Sequence, residues 1–271
     1  MAAMNKQYSN IFSQFYQPVV NIKDGGISHY EVLLRPQDES KYSALSIFQY
    51  IMSIEKTGEI ELLDRWNINE MARKMESPFH AYGFPCSINL SPLTIQSDGF
   101  LEYLNDVMSK MKHPERLHFE ITETSEILDY KKVNDFISMV KTFGSEVAMD
   151  DFGTGFANLE SLKQLDVDII KIDQMYVRDC LRDVEHRKFI SDTVDYAKEH
   201  NKKVVAEFVE DPSIEKLLLK MGVDCGQGYL YGKAEKKPES YISIQSNIQR
   251  AIETLGFETR QERSDTLSKT K

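Results

Sequence analysis

The sequence predicts an α/β fold, a TIM-like (β/α)8 barrel whose first strand runs antiparallel. Three observations carry this expectation. Seven short β-rich apolar runs follow an opening one and are separated by segments of helical period, which suits a closed barrel better than an open sheet. The 271 residues can bury one large core, and barrels of about 250 residues are usual. The first two runs are joined only by Lys23-Asp24-Gly25-Gly26-Ile27, a turn tight enough for antiparallel strands and too short for a parallel crossover.

The opening runs are Ile11 to Ile22 and Ser28 to Leu34, and the Asp-Gly-Gly turn supplies residues that tolerate positive φ. Pro36 should stop the second strand soon after Arg35, because proline cannot donate to a ladder. From Tyr42 to Met75, apolar residues including Phe48, Ile51, Ile54, Leu63 and Trp66 recur at three and four, which is helical and makes Trp66 a core residue. Cys86 to Leu90 is a short strand carrying Asn89, followed by a helical stretch from Leu93 to Met111. Leu117 to Thr122 carries Glu120, and a helix from near Glu126 to Phe143 leads to the strand Glu146 to Asp150. A short helix around Asn158 to Gln164 precedes the strand Val167 to Asp173. A charged helix, Val184 to Glu199, then precedes Val204 to Glu207, and Ser213 to Met221 precedes Val223 to Tyr229.

Composition excludes several classes. No run approaches the roughly 20 apolar residues needed to span a bilayer, and residues Met1 to Asn10 lack a signal-peptide pattern, so a cytoplasmic protein without membrane insertion is expected. A formal net charge of -10 argues against duplex nucleic acid and anionic membranes, which need clustered Lys and Arg. Cys86, Cys180 and Cys225 are odd in number and widely spaced, so they suggest neither a disulfide framework nor a zinc site. The six histidines show no metal-ligand spacing.

The chain is organised around Val147 to Gly155, V-A-M-D-D-F-G-T-G, where an apolar run delivers Asp150 and Asp151 into a glycine-containing loop. One such doublet is often only a turn signal. Here, however, Glu31, Asn89, Glu120, Lys171, Glu207 and Gln227 also fall in or near the ends of apolar runs, and barrel active sites sit at the C-terminal ends of the parallel strands. Several carboxylates with an amide oxygen and few cations cannot share a site unless cations neutralise them or their pKa values rise. Hard oxygen donors without Cys or His point to Mg or Mn, and two such ions bridged by a carboxylate can attack a phosphodiester with water. Asp150 is the natural bridge. Lys171 is either a point charge beside the reacting oxygens or a strand-end salt bridge.

Seven ordered segments resemble the EAL-domain family of cyclic di-GMP phosphodiesterases: E-V-L-L-R from Glu31, N-L-S from Asn89, E-I-T-E from Glu120, D-D-F-G-T-G from Asp150, K-I-D from Lys171, A-E-F-V-E from Ala206 and Q-G-Y-L from Gln227. The resemblance covers roughly residues 10 to 235. It implies hydrolysis of cyclic di-GMP to linear pGpG with two Mg or Mn ions, in a bacterial signalling pathway, by a homodimer. It also implies that Glu31, Asn89, Glu120, Asp150, Asp151 and Glu207 are metal ligands and that Lys171 and Gln227 hold the attacking water and its surroundings. By the same resemblance Glu123 fixes a dimer-linked loop, and Gln17, Arg35 and Tyr231 contact substrate. Four positions depart from the family pattern: Val32 for the signature alanine, Phe208 for a frequent glycine, Gly226 for a frequent cysteine and Ala234 for a frequent proline.

The expected organisation is an N-terminal extension over residues 1–9, a stand-alone barrel over 10–235, an amphipathic helix over 236–257 and a disordered tail over 258–271. The runner-up reading is a catalytically silent EAL-like regulator that binds cyclic di-GMP or a protein partner, prompted by Phe208 and the altered segment near Gly226 and Ala234.

Overall fold

Side chains along a strand alternate between two faces, so in a closed barrel each strand feeds one set of residues to the lumen and the other to the surrounding helices. The computed structural model describes residues 8–38, 44–76, 83–122, 127–154, 159–238 and 248. Its eight strands are β1 (Phe12–Asn21), β2 (Ile27–Pro36), β3 (Cys86–Leu90), β4 (Leu117–Ile121), β5 (Val147–Phe152), β6 (Ile169–Ile172), β7 (Lys203–Ala206) and β8 (Cys225–Gln227). They close in sequence order, with β1 antiparallel to both β2 and β8 and every other neighbour parallel. The turn expected between β1 and β2 forms with Gly25 at φ +75 and Asn21 N–H donating to the Gly26 carbonyl at 2.8 Å. Pro36 is the last residue of β2, opposite Phe12 at the start of β1, so the strand runs one residue beyond Arg35.

Helices α1 (Ala44–Thr57) and α2 (Ile60–Met75) share the long helical stripe, which breaks at Gly58. The stretch expected as one helix after β3 is two, α3 (Pro92–Gln96) and α4 (Phe100–Met108), separated by Ser97-Asp98-Gly99. The remaining helices are α5 (Tyr130–Thr142), α6 (Leu159–Gln164), α7 (Gln174–Arg178), α8 (Val184–Glu199) and α9 (Pro212–Met221). Side-chain oxygens start several of them: Asp129, Asp173, Asp183 and Asp211 each accept from backbone N–H groups of the first turn. The α7 turn was not apparent from apolar spacing. Glu123, Gly155 and nearly all of the expected terminal helix and tail lie outside the described residues, although Ile248 is buried in the main core.

One face of each strand, for example Tyr30, Ile88, Phe119, Ile170 and Val204, joins the helices in the main core. The other set forms a small apolar plug of Val19, Ala148, Ile169, Val205 and Cys225. Two residues further along the strands, toward their C-terminal ends, the same face carries Asp150, Lys171 and Gln227. A second core, built from Tyr8, Phe12, Ile47, Ile54, Ile60, Leu63 and Trp66, ties α1 and α2 to the start of β1. Trp66 thus has the core role expected of it, with ring centroids 6.1 Å from Phe12 and 6.0 Å from Tyr8. Among the described residues no helix is long and apolar enough to cross a membrane.

At the opposite end of the lumen from the acids, His29 on β2 and His118 on β4 face each other with ring centroids 6.1 Å apart, both buried. Burial, with His118 and Lys171 nearby, lowers the His29 pKa from 6.5 to about 3. A base buried in its neutral form stabilises the fold fully above its unfolded pKa of 6.5, and that contribution fades as pH falls toward 3. Acidification from pH 7 to pH 5 should therefore cost about 2 kcal/mol through His29 alone. Urea unfolding at the two pH values checks this, and a His29→Gln variant should show a correspondingly smaller difference.

Candidate metal centre

Adjacent strand residues ordinarily point to opposite faces, so Asp150 and Asp151 could not both reach one site from a regular strand. The β5–β6 register resolves this. Met149 pairs with Ile170 and Phe152 with Ile172, so two residues, Asp150 and Asp151, stand against the single Lys171. This bulge, with Asp151 at φ +50, brings both carboxylates to one cavity. Left-handed backbone at a non-glycine residue is tolerated best by Asp and Asn, which is what the position contains.

Lys171 is the electrostatic centre. Its Nζ lies 2.5 Å from Glu120, 2.7 Å from Asp150, 2.8 Å from Glu207 and 3.3 Å from Glu31. The ammonium is 1% exposed and Glu120 is fully buried, so this group of charges is held away from water. Burial opposes the Lys171 charge, but the surrounding carboxylates outweigh it and raise its pKa well above 10.5. Four acids cannot all be ionised around one cation. Burial raises Glu120 to about 8 and pushes Asp150 and Glu207 upward, with Lys171 opposing in each case. Asp151 rises to about 7 through burial and the adjacent Asp150. Glu31 goes the other way: burial works against its charge, but Lys171 and hydrogen bonds from Gln227 and Asn89 hold it below its usual range.

The remaining surplus of negative charge can be relieved by protons or by divalent cations. Ligand atoms of Glu31, Glu120 and Asp150 lie within 4.8 Å of one another, as do those of Asp150, Asp151 and Glu207. Asp150 is common to both groups, as a bridging ligand must be. Asn89 donates to Glu31 at 2.9 Å and Gln227 donates to Glu31 at 2.6 Å, which leaves their carbonyl oxygens as acceptors. Asn89 Oδ1 and Gln227 Oε1 are buried without a hydrogen-bond partner among the described residues. An all-oxygen donor set with two unsatisfied carbonyls fits hard divalent cations.

The cluster opens into a cavity of about 470 Å³ that Gln17, Arg35, Glu31, Asn89, Asp150, Asp151, Glu207 and Gln227 all line. Gln227 Nε2 lies 3.4 Å from Gln17 Oε1, and Gln17 Nε2 in turn donates to the Gly232 carbonyl at 3.3 Å. The structure thus brings together all the described residues expected at the site except one. Tyr231 is corrected: it does not line the cavity but is fully buried, its hydroxyl 3.4 Å from Glu215. A Cβ on Gly226 would stand 2.6 Å from the Tyr231 hydroxyl, so the ring occupies space that a residue 226 side chain would need. The glycine and the tyrosine are one packing exchange.

Sequence reasoning missed the far wall of the cavity. Asp64 and Asn67 of α2 line it with Glu55 of α1 and Ser91. Asp64 accepts from Thr94 and from the Ser91 N–H, and burial raises its pKa to about 7. The available signal was an acid set between Leu63 and Trp66 on the apolar side of a helix. Val32 is 1% exposed and belongs to the main core, and it also borders the cavity beside Glu31. Phe208 does not line the cavity.

The family description that matches the chain is EAL domain, over residues 3–234. The chain is 29% identical over 231 residues to the cyclic di-GMP phosphodiesterase PdeA of Borreliella burgdorferi, covering 84% of this chain and 34% of that protein. It is 34% identical over 227 residues to the probable cyclic di-GMP phosphodiesterase PdeB of Escherichia coli, covering 83% and 43%. It therefore spans less than half the length of either relative. Among solved structures, the PaMucR phosphodiesterase in complex with c-di-GMP superposes with a TM-score of 0.73 at 26% identity, over 86% of this chain and 95% of that one.

Two outcomes follow from the packing. In EDTA at pH 8, Lys171→Met should cost about 3–5 kcal/mol in denaturant unfolding, because the buried acids lose their cation. Without Lys171 the acids' folded pKa values rise further above their unfolded ones, so stability should recover as pH falls to 6. A variant as stable as the wild type at pH 8 would contradict the role given to Lys171. Separately, Gly226→Ala should cost about 1–3 kcal/mol by overpacking. Adding Tyr231→Phe should recover part of that loss in thermal melts.

Proposed function

Because the chain belongs to the EAL domain family, we propose that it hydrolyses one phosphodiester of cyclic di-GMP to give linear pGpG. The observation that carries this reading is the pair of carboxylate groups that share Asp150, beside a buried lysine and at the floor of a cavity. The named relatives and the c-di-GMP complex supply the substrate. Glu31, Asn89, Glu120 and Asp150 would hold one divalent cation, and Asp150, Asp151 and Glu207 a second, with Mg or Mn as the ions of suitable hardness. When bound, such a pair supplies Lewis acidity and lowers the pKa of water for in-line attack on phosphorus.

The chain's own residues do the rest. Lys171, buried behind the carboxylates that line the cavity, would supply a fixed positive charge to the site as negative charge grows on the phosphoryl oxygens, and its carboxylate partners keep it protonated. Gln227 is held by Glu31 and Gln17, and so it orients groups at the cavity floor. Arg35, at the cavity edge, offers a guanidinium for a phosphate, and Gln17 an amide for the sugar-phosphate ring. Asp64, Asn67 and Ser91 offer a polar edge deeper in the cavity for part of a purine. We place Glu123 with the loop after Asp151 as a site-linking residue, and a homodimer and a cytoplasmic setting accompany the reading.

The test is direct. Purified protein incubated with cyclic di-GMP and Mn or Mg should give pGpG by chromatography, and EDTA should abolish it. Glu31→Ala and Asp151→Asn should each lose about 100-fold or more in kcat. Either variant matching wild type would overturn the metal assignment. Absence of product with cyclic di-GMP still bound would favour the silent regulator.

A further inference from the structure

Phe208 follows directly after Glu207 and holds φ at +61, a left-handed conformation that strains an aromatic residue and that a glycine adopts freely. The hydrogen bonds on either side show what this conformation does. Glu207 N–H donates to the Ile172 carbonyl on β6 at 3.1 Å, whereas Val209 N–H donates to the Gln227 carbonyl on β8 at 2.9 Å. In a regular strand, residues two apart bond toward the same neighbour, so Glu207 and Val209 would both face β6. The left-handed residue between them turns the ladder from β6 to β8 and couples Glu207 to Gln227 through one short segment. Gly228 is pressed against that segment: a Cβ there would meet the Val209 carbonyl at 2.3 Å.

The Phe208 side chain leaves the cavity and lies under the Arg178 guanidinium, 4.6 Å from ring centroid to Cζ. Arg178 ends α7, and α7 starts at the Asp173 cap two residues after Lys171. The contact therefore joins the β7 mouth to the helix that directly follows the Lys171-bearing strand β6. We propose that Phe208 and Arg178 form a latch that keeps the 207–209 turn in its flipped state, making Phe208 a positioning residue for the Glu207 carboxylate. The latch rests on the metal-centre reading above and extends it to a residue that the glycine-bearing family pattern lacks. Stacking of the Arg178 guanidinium on the ring offsets the backbone strain in part.

Mn binding to the 271-residue chain, followed by electron paramagnetic resonance, separates this from a purely structural role. Phe208→Gly keeps the left-handed turn accessible, so its melting temperature should stay close to the wild-type value while affinity at the Mn site that includes Glu207 falls about tenfold. Arg178→Ala should produce a similar loss, and the double variant should be no worse than either single one, because both remove one contact. Phe208→Tyr should restore wild-type affinity. Wild-type Mn affinity in both single variants, additive losses, or a change confined to the KM for cyclic di-GMP would each overturn the latch alone. A wild-type protein that takes up no Mn would overturn the metal reading and the latch with it.

Discussion

One ammonium among four carboxylates, at the C-terminal mouth of a closed barrel, is the constraint to which the rest of the molecule answers. Such a group is unstable unless each acid is held where Lys171 can reach it, and those acids come from β2, β4, β5 and the end of β7. Only a closed ring of strands brings those four ends to one point. A small apolar plug lies beneath the acids, and burial is the main cause that raises Glu120, Asp150 and Glu207. Removing the lysine and neutralising the acids are therefore opposite perturbations of the same balance.

The strands serve this site through their irregularities. A regular β5 would send Asp150 and Asp151 to opposite sides, and a regular β7 would bond residues 207 and 209 to the same neighbour. A bulge in the first and a left-handed residue after the second convert generic strand ends into a convergent donor set. Both features hold backbone conformations that most side chains avoid, which fits the tendency of strain to collect at functional sites. The far wall has a different origin. It is the inner side of α1 and α2, pinned by the Tyr8–Phe12–Trp66 cluster, and it brings Asp64 to the cavity without any strand.

Three of the four departures from the family pattern fall into two kinds, and nothing in the structure explains Ala234. Val32 and the Gly226–Tyr231 pair are exchanges of volume in buried packing that leave the Gln227–Glu31 hydrogen bond in place. Phe208 changes the backbone segment that carries a donor, and so it bears on the chemistry although its ring lies outside the cavity. All three follow or precede a site residue directly, so proximity in sequence does not separate them; the left-handed backbone at Phe208 does.

The sequence by itself determined the barrel, the antiparallel first strand and nearly every residue that the structure gathers at the acidic cluster. Apolar runs with period two, a Gly-containing turn of fixed length and acids at run ends are local patterns, and local patterns survive without coordinates. Boundaries such as Val184–Glu199 were legible because capping and apolar spacing agree there. What only the tertiary structure decided depends on contacts between distant residues. The split of the Leu93 to Met111 stretch into two helices, the burial of Tyr231 against Gly226, and the arrival of Asp64 at the cavity are examples. So is the path of Phe208 toward Arg178, because the face on which a side chain lands after an irregular turn is set by the neighbouring strands and not by the residue's own type.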